Sequence, residues 1–367
     1  MRAPWGKRDY VRFAAKLFIV CAAILLASSV VSIFISPTKV PVAALLCLAF
    51  PLFFFVNLLG LLFAVFLRRK WWMLPASTFI LSFPALCSYC PIRIISPTAT
   101  PASDTLRIVS FNTRNFGGHE SDSLGNNYVA KLMREAEADI VCFQEGVKER
   151  DFYKQSVIPL LTQRYPYYDI LIQGTKSPMG LFSRFPILSQ EIVTQSGNNH
   201  AIAYRVLRSA GDTLCIVNCH LSSIGLNEAQ KNVYDYAFRG YVASTNSIGG
   251  LQSIVNSFLQ AASQRALMAD TLAAYIQKHR HESLIVCGDF NDTPVSYAVR
   301  RTASGLTDCY RKAGYGIGRT FCRNNIIVRI DHIFCSPDWE PTLCRVLPVE
   351  TYSDHYPIIA KLIRKKP

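Results

Sequence analysis

Asp289 and Asn291 stand two residues apart at the end of an apolar run, in the stretch Leu284-Ile-Val-Cys-Gly-Asp-Phe-Asn-Asp-Thr-Pro294. Leu284–Cys287 has the composition of a buried strand, and Gly288 lets the backbone turn. In an extended backbone, side chains two apart project to one face. A carboxylate and a carboxamide presented together from a strand end can divide two tasks. One accepts a proton from water or orients it; the other donates a hydrogen bond to a phosphoryl oxygen as charge builds there. Gly-Asp-x-Asn also makes good turns, so the stretch gains chemical meaning only in company.

That company is present. Ser110-Phe111-Asn112, Phe143-Gln144-Glu145, Asn218-Cys219-His220-Leu221, Gly288-Asp289-Phe290-Asn291, Arg329-Ile330-Asp331-His332 and Ser353-Asp354-His355 follow one another along the chain. In this order they resemble the endonuclease/exonuclease/phosphatase superfamily. These are metal-dependent phosphoesterases that include DNase I-like nucleases, sphingomyelinases, deadenylases and inositol-phosphate phosphatases. The resemblance runs over roughly Leu106–Leu362 and is to a membrane-anchored, bacterial-type member. It implies an α/β fold: a DNase I-like two-sheet β-sandwich flanked by helices, with the motifs on loops at one rim.

A phosphoester needs a divalent cation to neutralise its oxygens and a water made nucleophilic. Hard cations such as Mg²⁺, or Mn²⁺ in its place, take oxygen ligands. Glu145, directly after a strand of Val, Cys and Phe, is the first candidate ligand. The resemblance adds Asn112 as its companion and Asp354 as a metal ligand or a residue behind one. It also places His220 against the phosphate or the leaving group, and pairs Asp331 with His355. A carboxylate beside an imidazole fixes its tautomer and stabilises its charged form. His355 then acts as base or holds the phosphoryl group. The candidate catalytic set is therefore His220, Asp289, Asn291, Asp331 and His355, and the metal set is Asn112, Glu145 and Asp354.

Several readings are bland by comparison. His332 points to the opposite face from Asp331 and reads as packing. Asp292 and Thr293 read as a turn capping the helix that follows. Arg114, Arg184 and Arg319 are candidate phosphate contacts that a solvated surface explains equally well. No acid that would orient His220 is apparent. Abasic-site nucleases of the superfamily generally carry Tyr where His220 stands, which argues against that branch. The inositol 5-phosphatase Asn-Tyr-Arg motif is replaced by Phe290-Asn291-Asp292-Thr293.

The chain has 367 residues and a formal net charge of +14. Met1–Pro97 holds ten Lys/Arg and one acid, while Thr98–Pro367 holds 29 Lys/Arg and 24 acids. Most of the positive excess thus flanks apolar runs, and overall charge gives no argument for nucleic acid. Of twelve cysteines, Cys142, Cys215, Cys219, Cys287 and Cys335 lie in expected strands as small buried hydrophobes. Cys309, Cys322 and Cys344 lie in less regular sequence and are the candidates for pairing. Cys87 and Cys90, without a second pair nearby, are not a zinc or redox site.

Residues 1–95 read as a membrane anchor of about three transmembrane helices, residues 96–104 as a linker, and residues 105–367 as the catalytic domain. Leu17–Ile35 is an uncharged run of 19 residues, Val40–Leu67 one of 28 interrupted by Pro41 and Pro51, and Trp71–Tyr89 one of 19. The first and third are long enough to span; the second is expected to tilt or kink. A cleavable signal peptide is not the expectation, because two more runs follow the first. The basic N-terminus and Arg68-Arg69-Lys70 belong in the cytoplasm by the positive-inside rule. Three spans then place the catalytic domain outside the cytoplasm. Two spans, with Trp71–Tyr89 lying in the interface, place it inside. Ser96–Ser103 is rich in Pro, Thr, Ala and Ser, as a linker should be.

From Leu106 the pattern alternates. Strands are expected at Leu106–Phe111, Asp139–Phe143, Tyr167–Ile172, Met179–Ser183, Ile187–Thr194, Ala201–Leu207, Thr213–Cys219, Leu284–Cys287, Ile326–Cys335, Leu343–Val349 and Ile358–Leu362. Helices are expected at Tyr128–Glu137, Phe152–Leu161 and over much of Ser222–Gln277, broken at Gly249-Gly250. In that last stretch Tyr234, Phe238 and Tyr241 share one helical face, as do Leu251, Ile254, Val255 and Phe258, for packing on the domain or for contacting a membrane.

The expected function is a membrane-tethered, divalent-metal-dependent phosphoesterase acting by water attack on a phosphodiester or phosphomonoester, in a lipid head group or nucleic acid. The alternatives are a DNase I-like endonuclease on extracellular nucleic acid and a catalytically silent membrane scaffold. The expected partners are a phosphate-ester substrate and the lipid bilayer; nothing calls for a protein partner.

Overall fold

The computed structural model describes residues 7–66, 70–92, 104–172, 177–225, 230, 245–323, 326–349 and 352–365. Two six-stranded sheets form its centre. The first runs β11-β12-β1-β2-β4-β3 and the second β5-β6-β7-β8-β10-β9. The strands are β1 (Thr105–Asn112), β2 (Ile140–Gln144), β3 (Tyr167–Leu171), β4 (Met179–Ser183), β5 (Ile187–Ser196), β6 (Asn199–Ser209), β7 (Asp212–His220), β8 (Ser283–Asp289), β9 (Thr307–Asp308), β10 (Asp331–Cys335), β11 (Trp339–Val346) and β12 (Ile358–Arg364). Each sheet has one parallel pair at its middle, β1 with β2 and β7 with β8. The neighbours of both pairs are antiparallel.

Alternation along the strands builds three apolar layers. Ile108, Ile140, Leu181, Ile216, Ile285 and Ile333 meet between the sheets. Val109, Phe111, Val141 and Phe143 turn the other way, onto Val129 and Met133 of α5 (Tyr128–Glu135) and onto Tyr153 and Leu161 of a helical stretch over 150–161. Val217, Val286 and Phe334 cover the opposite outer face, beneath Met268, Leu272 and Ile276 of α6 (Thr245–Lys278). Strands buried on both faces read as continuous apolar runs, which is why their positions are legible in the sequence.

The N-terminal region is helical: α1 (Lys7–Ser32), α2 (Val42–Leu48), α3 (Phe50–Phe66) and α4 (Met73–Tyr89). Among the described residues, Asp9–Ser32 is the one helix both long and apolar enough to cross a membrane. α2 and α3 pass the same test only together, and they bend by 62° at their junction. Pro51 sits in the first turn of α3, where its missing N–H costs nothing, so the kink expected in Val40–Leu67 falls just before it. α4 has 17 residues, about 26 Å at 1.5 Å per residue. Large apolar side chains remain exposed on these helices, among them Phe55, Leu59, Leu62, Phe66, Ile80 and Phe83.

One end of the helical layer rests on the sandwich. Val295, just after the Asp289 turn, packs with Leu26, Phe50 and Ala85. The Arg300 guanidinium lies 4.1 Å from the Phe34 ring, Ser263 Oγ donates to Pro37 O at 3.1 Å, and Arg329 Nη2 donates to Ser88 O at 2.5 Å. Lys16 of α1 and Trp71, in the short 3₁₀ turn that precedes α4, lie further from these contacts and meet each other with the ammonium 5.3 Å from the ring centroid.

Some expectations need correction. α6 runs through Gly249 and Gly250 without a break; two glycines cost about 1 kcal/mol each, less than its buried Ala262, Ala266, Leu272 and Ile276 return. Residues 221–225 are not helical. The face of Tyr234, Phe238 and Tyr241, the linker Ser96–Ser103, and Arg68 and Arg69 lie outside the described residues. Phe258 of the second face is buried with Ala44 of α2, whereas Leu251 and Val255 are exposed. β10 starts only at Asp331, because the residues before it fold back so that Val328 bridges to Phe321. β11 starts at Trp339 and ends at Val346; as the sheet's edge strand it accommodates Pro341 at a bulge. Cys309, Cys322 and Cys344 do not pair: all are free thiols, the first and last buried, and Cys322 Sγ contacts Ser353 O at 3.7 Å.

Candidate active site

The two parallel pairs end at the same seam. Asn112 ends β1 in register with Gln144, so Glu145 follows beside it. His220 ends β7 in register with Asp289, which ends β8, and Asp331 opens β10 opposite Asp289. Gly288 makes the β7–β8 approach feasible: its φ is +144°, and a Cβ there would lie 1.9 Å from Cys219 O. Glu145 and Asn291 both adopt positive φ, +52° and +50°. For non-glycine residues this is a sparsely populated, strained conformation, the kind that persists where surrounding structure over-determines it. At Glu145 its own carbonyl supplies part of that restraint, accepting from Asn115 N at 2.6 Å and Thr113 Oγ1 at 3.0 Å.

Asp289, 1% exposed, is the centre. Its Oδ2 accepts from Asn112 Nδ2 at 2.9 Å and Asn291 Nδ2 at 3.3 Å, and its Oδ1 accepts from Asn291 N at 2.8 Å. His355 Nε2 lies 3.8 Å and His220 Nε2 3.9 Å from Oδ2. Burial pushes the Asp289 carboxyl above the usual range. Asp331 reinforces that, while His355, His220 and the bond from Asn112 oppose it. His355 Nδ1 lies 2.9 Å from Asp331 Oδ2. Burial alone would push His355 down, but the negative charges of Asp331 and Asp289 carry it up to about 10.

His220 Nε2 is buried without a hydrogen-bond partner among the described residues, 3.5 Å from Glu145 Oε1. Its Nδ1 faces Ser177 Oγ at 3.4 Å, so a hydroxyl, not an acid, stands behind this ring. Asn291 Nδ2 also donates to Leu221 O at 3.0 Å. Both of its amide hydrogens are therefore engaged, and in this arrangement it orients Asp289.

Seven of the eight expected residues thus converge: Asn112, Glu145, His220, Asp289, Asn291, Asp331 and His355. Asp354 belongs to neither group of described residues that could hold a metal; it pairs with Arg114 Nε at 3.8 Å, and its charge adds to those that raise His355. Arg184 bonds Asp139 at 2.7 Å, at the other end of β2, and Arg319 donates to the carbonyls of Phe321 and Cys322. His332 is buried beside Phe290 and stacked on Phe334, and burial with the nearby Arg329 charge holds it down to about 3. Asp292 does not cap a helix. Ser296 caps α7 (Tyr297–Thr302), while Asp292 Oδ2 accepts from the buried Arg265 Nε at 3.2 Å.

Sequence reasoning gave no role to the residues that hold the seam. Gln144 Nε2 donates to Asn218 Oδ1 at 2.7 Å, and Asn218 Nδ2 donates to the carbonyls of Phe143 and Gly180, joining the sheets. Ser353 Oγ bonds Asn112 O at 2.7 Å and receives His355 N at 3.1 Å. Thr320 Oγ1 accepts from Ile330 N and Asp331 N. Gln144, Asn218 and Ser353 sit within motifs, beside residues with more obvious chemistry, and that adjacency is their only signal; Thr320 lies outside every motif and has none.

A family model, "Endonuclease/Exonuclease/phosphatase family", matches residues 109–355 and spans all of these motifs. The chain belongs to the endonuclease/exonuclease/phosphatase family. Members of this family are hydrolases acting on phosphoesters. A second model, "Domain of unknown function (DUF8431)", matches residues 12–89, the helical layer. Among solved structures, a family protein from Bacteroides thetaiotaomicron is similar at 20% identity over 71% of this chain and 98% of that one, with a TM-score of 0.48. One from Bacteroides vulgatus is similar at 19% identity over 71% and 99%, TM-score 0.48. The 3′ phosphatase NExo from Neisseria, bound to a product DNA hairpin, is similar at 17% identity over 70% and 98%, TM-score 0.49. No curated protein matches the chain.

The donor chemistry of this family member suits a hard divalent cation. Glu145, His220 and Asp289 form one group with ligand atoms within 4.8 Å of one another, and Asp289, Asp331 and His355 form a second. The first contains the half-exposed Glu145 and the unpartnered His220 Nε2, with the Asn112 amide alongside. In the second, His355 and Asp331 already satisfy each other, so the first is the better cradle.

The Asp331–His355 pair has a pH signature. His355 is raised on folding from about 6.5, so its contribution to stability is complete below pH 6.5 and is lost as pH rises through about 10. In metal-free protein, stability should fall across that window by up to about 1.4 kcal/mol per pH unit. Asp331→Asn should flatten the fall and lower the imidazole pKa measured by NMR; an unchanged His355 titration would contradict the pairing.

Proposed function

We propose that this chain is a membrane-tethered, divalent-metal-dependent phosphoesterase that hydrolyses a phosphodiester or phosphomonoester by attack of water. The observation that carries the reading is the buried Asp289 carboxylate, flanked by the unpartnered His220 Nε2 and the Asp331-paired His355. Mg²⁺ is the proposed cation, with Mn²⁺ as a substitute. Glu145 and Asn112 would hold it, and it would supply neutralisation of the phosphoryl oxygens.

Asp289 orients the attacking water and takes its proton, a role suited to a carboxyl raised by burial. Asn291 and Asn112 fix that carboxylate through its two oxygens. The charges of Asp331 and Asp289 raise the His355 imidazole, which favours its charged form over a role as base. It donates Nε2–H toward charge developing on the phosphoryl group. His220 offers Nε2 to the phosphate or the leaving oxygen. For Asn291 to reach a phosphoryl oxygen it would give up its longer, 3.3 Å contact. Asp354 is proposed to act behind the site, through Arg114.

Tethering is supported by the length and apolar character of α1 and by the exposed apolar surface of α1, α3 and α4. The contact ends of the helical layer support three crossings. Phe34, Pro37 and Ser88 abut the sandwich, while Lys16 and Trp71 meet away from it. With the basic end in the cytoplasm, the catalytic domain lies outside the cytoplasm, at the plasma (inner) membrane.

The full-length protein should hydrolyse at least one of plasmid DNA, RNA, phospholipid and small phosphate esters with Mg²⁺ or Mn²⁺. A chelator should abolish that activity, and Asp289→Asn should lower it by roughly 10²–10⁴-fold while the fold is kept. Near-normal turnover in folded Asp289→Asn would refute the mechanism. A phosphatase fusion at Pro367 should report an extracytoplasmic C-terminus; a cytoplasmic signal would refute the topology.

A further inference from the structure

An apolar cavity of about 540 Å³ lies against the catalytic seam. Its walls include Leu48 and Tyr89 of the helical layer, Phe258 of α6, and Phe321, Ile326 and Ile330 from the segment before β10. Its volume lies within the usual range of roughly 300–1,000 Å³ for small-molecule sites. Two wall residues touch the catalytic set. Asn291 bonds Asp289 through its backbone and side chain, and the Phe321 ring lies edge-on to His355 with centroids 5.3 Å apart.

Two features point to the occupant. The cavity is built jointly by the sandwich and by helices whose outer faces carry exposed Phe, Leu and Ile, and Leu48 stands next to the 62° bend between α2 and α3. A hydrocarbon entering here would pass from an apolar surface to an apolar interior. The lining also includes Arg323, a cation suited to the phosphate of an amphiphile. A water-soluble nucleotide would find few polar partners on these walls.

We propose that this cavity takes the acyl chain of a membrane lipid whose phosphate ester is placed at Asp289, His220 and His355. The inference rests on the phosphoesterase reading and narrows its substrate to lipid-borne phosphate esters. Burying several methylenes beside the reacting group holds the phosphorus in place. Water adds to phosphorus, the bond to the leaving oxygen breaks with its electron pair on that oxygen, the proton of the attacking water passes to Asp289, and the leaving oxygen takes a proton from solvent.

The test uses full-length protein in nanodiscs and two phosphodiesters with one leaving group, hexadecyl 4-nitrophenyl phosphate and methyl 4-nitrophenyl phosphate. Wild type should favour the hexadecyl ester in kcat/KM by at least about tenfold. Ile326→Trp, or Ile224→Trp at the cavity's exposed edge, should remove that preference, bringing the ratio of the two esters' kcat/KM to about one. Partition of the chain into the bilayer is the same in all three proteins, so a preference that survives both variants would overturn the proposal, as would no preference in wild type.

Binding is read separately in Asp289→Asn with a phosphatidylglycerol bearing a terminal diazirine on one acyl chain. Crosslinks at Leu48, Ile326 or Ile330 are expected. Crosslinks confined to outward residues such as Phe55, Leu59 and Ile80 would overturn the cavity's assignment. Cleavage of neither ester by wild type would count against the phosphoesterase reading itself, and the crosslinks would still decide the cavity.

Discussion

A carboxylate with almost no exposed surface, Asp289, is held where two sheets meet, and the rest of the site is arranged around making that tolerable. Burying an unpaired charge is costly. Here the cost is offset by three hydrogen bonds, from Asn112 and twice from Asn291, and by two imidazoles within 4 Å. The position itself is a matter of register: β8 lies between β7 and β10, so His220 and Asp331 each stand opposite Asp289. Gly288 is a strict requirement of that register, since any side chain there would collide with the Cys219 carbonyl.

The same logic extends outward. Gln144 and Asn218 join the two parallel pairs beneath the site, so neither sheet can shift without breaking buried amide bonds. Ser353 ties the His355 loop to the end of β1. On the far side of the Asp289 turn, Arg265 holds Asp292 and Val295 enters the core of the helical layer. The residues immediately after Asp289 are thus part of the contact between sandwich and helices, so the candidate site and the apolar layer share a wall.

Much of this was legible in the sequence because chemistry and burial leave local traces. Strands buried on both faces appear as short apolar runs, and polar residues at their ends stand out: Glu145 and Asp289 are legible in this way, while Asn112 and His220 take their roles from the family resemblance. Tertiary context decided the rest. Nothing local distinguishes Asp292 as Arg265's partner from a helix cap, because Arg265 comes from a helix 27 residues earlier. Asp354 resembles a ligand by its motif, yet its side chain turns to Arg114. Gly249 and Gly250 carry a real helix penalty that packing of α6 overrides. Ile326–Ile330 has a strand's composition but supplies a loop, with Arg329 buried against the helical layer and the isoleucines facing a cavity.

The chemistry of this site depends most directly on whether Glu145 and Asn112 hold a divalent cation. The deciding measurement is Mn²⁺ binding to the full-length protein by electron paramagnetic resonance, with Glu145→Gln as the comparison. One tightly held ion in wild type, lost in Glu145→Gln while the protein stays folded, is what this arrangement requires. Undiminished Mn²⁺ binding by Glu145→Gln, or none by folded wild type, would contradict it.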